Sequence, residues 1–130
     1  MNILLIEDDP TDMKLFSAVL IESGHTVCEK ISTEQAIAEI KRRRPELILV
    51  DLKLPRMDGL TLVRMLKGEP ETWSIPVIAI TAAPEDFSRQ AALSEGCSAF
   101  IQKPIDTRAL ANQVEAVMAN MQKREPQFAD

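Results

Sequence analysis

The sequence lacks any apolar run approaching the roughly 20 residues needed to span a membrane, so no segment of it reads as a transmembrane helix. It also lacks a basic surplus: 15 Lys and Arg face 20 Asp and Glu, a formal net charge of −5. Proteins that grip the nucleic-acid backbone normally present a basic face, so nucleic acid is not the expected partner and another protein is. Cysteine is scarce. Cys28 and Cys97 match no metal-ligand spacing and read as reduced packing residues rather than a disulfide. No charged leader with a cleavage site precedes the first apolar run, and the expected location is the cytoplasm. Repeats and low-complexity segments are absent. A length of 130 residues leaves room for one domain, and 45% hydrophobic residues suffice to cover a sheet on both faces.

What is present is an alternation. Five short apolar runs, at about 2–6, 26–31, 47–50, 77–80 and 99–101, are separated by longer amphipathic stretches, which predicts a parallel α/β sheet with helices on both faces. Leu47 to Val50 and Val77 to Ile80 are continuously apolar, as expected of central strands covered on both sides. The first helix is predicted to start at Asp9 as N-cap with Pro10 at its first position and Asp12 as a further negative charge in its first turn, and to bury Leu15, Phe16, Val19 and Leu20 while Met13 falls outside that stripe. A second helix spans Thr33 to about Arg43, with Lys41-Arg42-Arg43-Arg44 as a solvated C-terminal run. Asp58-Gly59 opens a third, Pro84 a fourth with Phe87 and Ala91 inward, and Asp106 a fifth reaching about Lys123. The domain is expected over 1–122, with 123–130 as a frayed tail.

Four polar signals sit at the carboxyl ends of the apolar runs: Glu7-Asp8-Asp9, Asp51, Thr81 and Lys103. In an open parallel sheet, ligands bind just beyond those ends, so the four converge on one site. Clustered carboxylates need a cation, and hard oxygen ligands suit Mg²⁺. Asp51 is the candidate nucleophile, since a carboxylate can form an acyl phosphate. Asp8 and Asp51 can hold the cation, with Glu7 acting directly or through water, while Lys103 and Thr81 can meet phosphoryl oxygens. Taken singly, each has a plainer reading: helix cap, turn residue, strand-end threonine, surface lysine. Their joint order carries the phosphoryl-transfer reading.

The sequence resembles the CheY-like response-regulator receiver domains. The resemblance rests on Ile3-Leu4-Leu5-Ile6-Glu7-Asp8-Asp9-Pro10, Leu49-Val50-Asp51-Leu52-Lys53-Leu54-Pro55-Arg56-Met57-Asp58-Gly59, Ile75 to Ala82, and Phe100-Ile101-Gln102-Lys103-Pro104. It implies a flavodoxin-like (βα)5 fold with a five-stranded parallel sheet of order 2-1-3-4-5. It further implies that Asp51 accepts a phosphoryl group from a histidine kinase or histidine phosphotransfer protein. Mg²⁺ would be held by Asp8, Asp51 and the backbone carbonyl of Lys53, with Glu7 in the outer shell. Thr81 and Phe100 would move together as a switch, and the surface of the fourth helix, fifth strand and fifth helix would meet a downstream protein. Phe100 stands where many relatives have tyrosine, so burial of the ring is available to the switch and a hydrogen bond from its tip is not. With no effector domain following, a stand-alone regulator is expected, a monomer with dimerisation left open. Met13-Lys14-Leu15-Phe16 and Lys103-Pro104-Ile105 are similar to DivK-like single-domain regulators, and Met13, taken as exposed, is a candidate for docking the kinase.

Three other readings compete. An aspartyl-phosphate phosphatase commonly carries a second aspartate two residues after the nucleophile, where this chain has Lys53. A flavodoxin-like FMN binder needs a hydroxyl- and glycine-rich phosphate loop after the first strand, where this chain is acidic. A phosphorylation-independent interaction module would leave the convergence of acidic cluster, Asp51, Thr81 and Lys103 without a purpose. The expectation is therefore a signalling protein that catalyses only its own phosphorylation and dephosphorylation, not an enzyme with external turnover.

Overall fold

Residues 1–124 are described by the computed structural model. The five apolar runs form strands β1 (Asn2–Ile6), β2 (Thr26–Lys30), β3 (Leu47–Asp51), β4 (Val77–Thr81) and β5 (Ala99–Gln102). Between and after them lie helices α1 (Pro10–Glu22), α2 (Thr33–Arg42), α3 (Gly59–Lys67), α4 (Arg89–Ser94) and α5 (Thr107–Arg124). All neighbouring strands pair in parallel, and the sheet order is β2-β1-β3-β4-β5. This is the flavodoxin-like (βα)5 arrangement with the expected strand order. No helix among the described residues is long and apolar enough to cross a membrane.

Every residue of β3 and β4 is buried, so their side chains divide between two cores by pleat alone. Leu4, Ile6, Ile48, Val50 and Ala79 face a cluster with α2 and α3, including Ala36, Ile40, Leu62 and Val63. Ile3, Leu5, Leu47, Leu49, Ile78 and Ile80 face the opposite cluster with α1 and α5, including Phe16, Leu20, Leu110 and Val114. The register aligns the strand ends: Ile6 pairs with Val50, Asp51 with Ile80, and Thr81 with Gln102. One edge of the sheet therefore carries the chain exits to Glu7, Leu52, Ala82 and Lys103.

Two helices differ from the sequence expectation. In α1 the buried face is Met13, Phe16, Ser17 and Leu20, while Leu15 is 38% exposed. The helix is rotated toward Ser17 because that hydroxyl is satisfied by Glu29 on β2, which makes a polar residue admissible inside the apolar face. Met13 packs in the core at 8% exposure, so it is not the exposed docking residue expected. Asp9 does occupy the N-cap position of α1, but its side chain makes no capping bond. α4 begins at Arg89 and not at Pro84. Pro84 instead enters a turn closed by Asp86 and Phe87 N–H groups on the Ala83 carbonyl, and the Ser88 hydroxyl caps the helix through Ala91 N–H. Ala92, not Ala91, is the buried residue of α4. Asp106 caps α5 through the N–H groups of Arg108 and Ala109. α5 runs two residues past the expected boundary at 122, and of the expected tail 123–130, residues 125–130 lie outside the described residues.

Candidate functional site

At the shared strand edge, Lys103 extends from the end of β5 across the mouth of the sheet. Its backbone N–H is fixed on the Thr81 carbonyl at 2.8 Å, and a cis peptide bond joins it to Pro104. The ammonium reaches three carboxylates: Asp51 Oδ2 at 2.7 Å, Glu7 Oε1 at 2.8 Å and Asp12 Oδ2 at 2.8 Å. The ammonium donates a hydrogen bond to Asp51 Oδ2 and is in ion-pair contact with the other two carboxylates. The Phe16 ring lies beneath it, 5.8 Å from centroid to Nζ. Burial opposes the charge on Lys103, but the adjoining carboxylates of Asp12, Asp51 and Glu7 outweigh it and hold its pKa above the usual lysine range.

Asp51 is buried, and both of its carboxylate oxygens are engaged: Oδ2 accepts from Lys103, and Oδ1 accepts the Lys53 backbone N–H at 2.9 Å. The turn that carries it is fixed by Leu52 N–H on the Ile80 carbonyl and by Gly59 N–H on the Leu52 carbonyl. Gly59 allows α3 to close against that strand end. A Cβ there would lie 2.5 Å from the Asp51 carbonyl oxygen and 2.9 Å from Leu52 Cα. Thr81 is fully buried, and its Oγ1 accepts the Ala83 N–H at 3.0 Å, which leaves the hydroxyl proton free to donate.

Glu7 is 1% exposed. Its Oε2 accepts the Asp9 N–H at 3.1 Å, whereas Oε1 is in ion-pair contact with Lys103 but has no hydrogen-bond partner. Burial pushes its carboxyl up to about 7, with repulsion from Asp51 adding to the rise against the opposing contacts of Lys103 and Asp9 N–H. Glu7, Asp8 and Asp51 each present one oxygen within 4.8 Å of the others. Three hard oxygen donors, one of them on an orphaned buried carboxylate and one on the exposed Asp8, fit a small divalent cation with water completing its shell.

Glu7, Asp8, Asp51 and Lys103 thus meet in one place, with Thr81 at the adjoining strand end, whereas Met13 and Phe100 lie in the core. Phe100 is buried within β5, opposite Ala79 of β4, with the Arg89 guanidinium 5.3 Å from its ring centroid. Asp12 was missed as a member of the site. From the sequence it reads as a first-turn charge on the helix dipole; in the fold the start of α1 brings its Oδ2 to 2.8 Å from Lys103 Nζ.

The response regulator receiver domain model matches residues 3–115. The chain is 29% identical over 118 residues to the protein PilH of Pseudomonas aeruginosa, covering 91% of this chain and 98% of that one. It is 30% identical over 119 residues to the polar-differentiation response regulator DivK of Brucella anthropi, covering 92% and 97%. Among solved structures, the signal receiver domain of a signal transduction histidine kinase from Syntrophus aciditrophicus superposes with a TM-score of 0.82 at 34% identity, covering 92% of this chain and 90% of that one.

Proposed function

The chain belongs to the response regulator receiver domain family, and from that premise we propose that it is a single-domain response regulator of a bacterial two-component system or phosphorelay. Asp51 receives the phosphoryl group of a phosphohistidine on a histidine kinase or histidine phosphotransfer protein. One Asp51 carboxylate oxygen forms the new bond to phosphorus while the P–N bond breaks, and its electron pair returns to the imidazole, which takes up a solvent proton. The observation that carries this reading is the contact of Lys103 Nζ with Asp51 Oδ2 at 2.7 Å beside the Glu7, Asp8 and Asp51 oxygens.

Asp8 and Asp51, with the Lys53 backbone carbonyl, would hold Mg²⁺, and Glu7 would bear on it through water. When bound, the cation offsets the charge that a phosphoryl group adds to an already acidic site. Lys103 gives up part of its carboxylate grip to pair with a phosphoryl oxygen. Thr81 turns its free hydroxyl proton to another, and Phe100 follows through the β4–β5 pairing. The surface of α4, β5 and α5 then changes for a downstream protein, a local charge event read out by a two-state element. Catalysis in this reading is confined to the chain's own phosphorylation and dephosphorylation, in the cytoplasm.

The test is the intact mass after incubation with phosphoramidate, with and without Mg²⁺, beside Asp51→Asn. A gain of one phosphoryl group only in wild type with Mg²⁺ is expected. No gain in any condition would overturn the reading in favour of a phosphorylation-independent module.

A further inference from the structure

Of the three carboxylates on Lys103, two are also candidate cation ligands. Glu7 and Asp51 belong to the Glu7, Asp8 and Asp51 oxygen cluster; Asp12 does not. A divalent cation entering that cluster draws Glu7 and Asp51 toward itself and repels the ammonium. Only Asp12 Oδ2, 2.8 Å from Nζ, is then free to keep Lys103 in place. The geometry suits a tether: Asp12 lies in the first turn of α1, its side chain is 28% exposed, and that of Lys103 is 12% exposed. An untethered lysine at this rim has open solvent within reach.

We propose that Asp12 is a positioning residue, which retains the Lys103 ammonium beside Asp51 when the metal-binding carboxylates are occupied. The inference rests on the receiver chemistry proposed above for its consequence, and on the three-carboxylate grip for its cause. Its plain alternative is that Asp12 merely complements the α1 dipole, a role that does not involve Lys103.

The test uses ¹⁵N-labelled full-length chain and the hydrogen-bonded ammonium resonance of Lys103, identified by its loss in Lys103→Arg. In wild type the resonance should persist at saturating Mg²⁺. In Asp12→Asn it should be visible without metal and broaden beyond detection with Mg²⁺. In parallel, the rate of phosphoryl uptake from phosphoramidate should fall about fivefold in Asp12→Asn, the scale of one charged contact at a partly exposed site. It should fall no further when Asp12→Asn is added to Lys103→Ala. Survival of the resonance with Mg²⁺ in Asp12→Asn, its absence in metal-free wild type, or an equal rate loss in both backgrounds would overturn the proposal. Absence of phosphoryl uptake in wild type would instead overturn the receiver chemistry, and the resonance would still decide the role of Asp12.

Discussion

Lys103 Nζ lies 2.7 Å from Asp51 Oδ2, although 52 residues separate them in the chain. The contact exists because two parallel strands end at one edge and the lysine folds back across it. It joins the proposed phosphoryl acceptor to the cation that compensates it before any ligand arrives. Most consequences of the account follow from how many carboxylates depend on that one ammonium.

Lys103→Ala leaves Glu7, Asp12 and Asp51 without their shared cation. Breaking a mostly buried ion pair from one side is expected to destabilise the metal-free protein by about 3 kcal/mol. Mg²⁺ should then restore more stability to the variant than it adds to wild type, since it replaces the missing charge. Urea denaturation in EDTA and in Mg²⁺ measures both; an equal Mg²⁺ increment in the two proteins would contradict this.

Glu7 makes stability depend on pH in a defined direction. Its carboxyl stands at about 7 in the folded protein against 4.5 ordinarily, so the folded state holds a proton that the unfolded state has released across that window. Stability of the metal-free protein should therefore be full below about pH 4.5 and be lost progressively as pH rises through 7. Glu7→Gln removes the dependence. In EDTA at pH 8 the variant should be more stable than wild type by at least about 1 kcal/mol, while near pH 4.5 the two should coincide. A wild type whose metal-free stability rises between those pH values would refute the assignment.

Gly59→Ala tests the close approach behind Asp51. The added Cβ would sit 2.5 Å from a backbone oxygen and 2.9 Å from Leu52 Cα, and backbone cannot move aside as a flexible side chain can. A loss of about 2–3 kcal/mol is expected from such overpacking, together with weaker Mg²⁺ binding because Asp51 shifts. A variant matching wild type in both denaturation and Mg²⁺ titration would contradict the tight packing.

Much of this architecture was legible in the sequence because burial on both faces erases alternation. Leu47 to Val50 and Val77 to Ile80 read as central strands for that reason, and Asp51 and Thr81 follow directly from where those runs stop. Less legible were features set by contacts between elements. Ser17 is buried only because Glu29 on β2 receives its hydroxyl, and that pairing turned the inner face of α1 from Leu15 to Met13. Pro84 is a permitted helix start, but the Ser88 hydroxyl caps the helix and leaves Pro84 in the preceding turn. Asp12 read as a dipole charge because its true partner, Lys103, is brought to it only by the completed sheet.

Met13→Ala distinguishes packing from docking. With Met13 at 8% exposure in the α1–α5 core, truncation should cost about 2–4 kcal/mol through the cavity it leaves. Its phosphoryl uptake from phosphoramidate should stay near wild type at temperatures where both proteins are folded. A stability loss below about 0.5 kcal/mol, the range typical of surface substitutions, would restore the exposed reading of this residue.

The most direct test of the account is to locate the phosphoryl group. Wild-type protein is incubated with phosphoramidate and Mg²⁺, reduced with borohydride, which converts an aspartyl phosphate to homoserine, and digested for peptide mass analysis. The account predicts homoserine at position 51 and nowhere else, dependent on Mg²⁺. Homoserine at Asp8 or Asp12, or none at any aspartate despite a phosphoryl mass gain, would contradict the assignment of Asp51 as the acceptor.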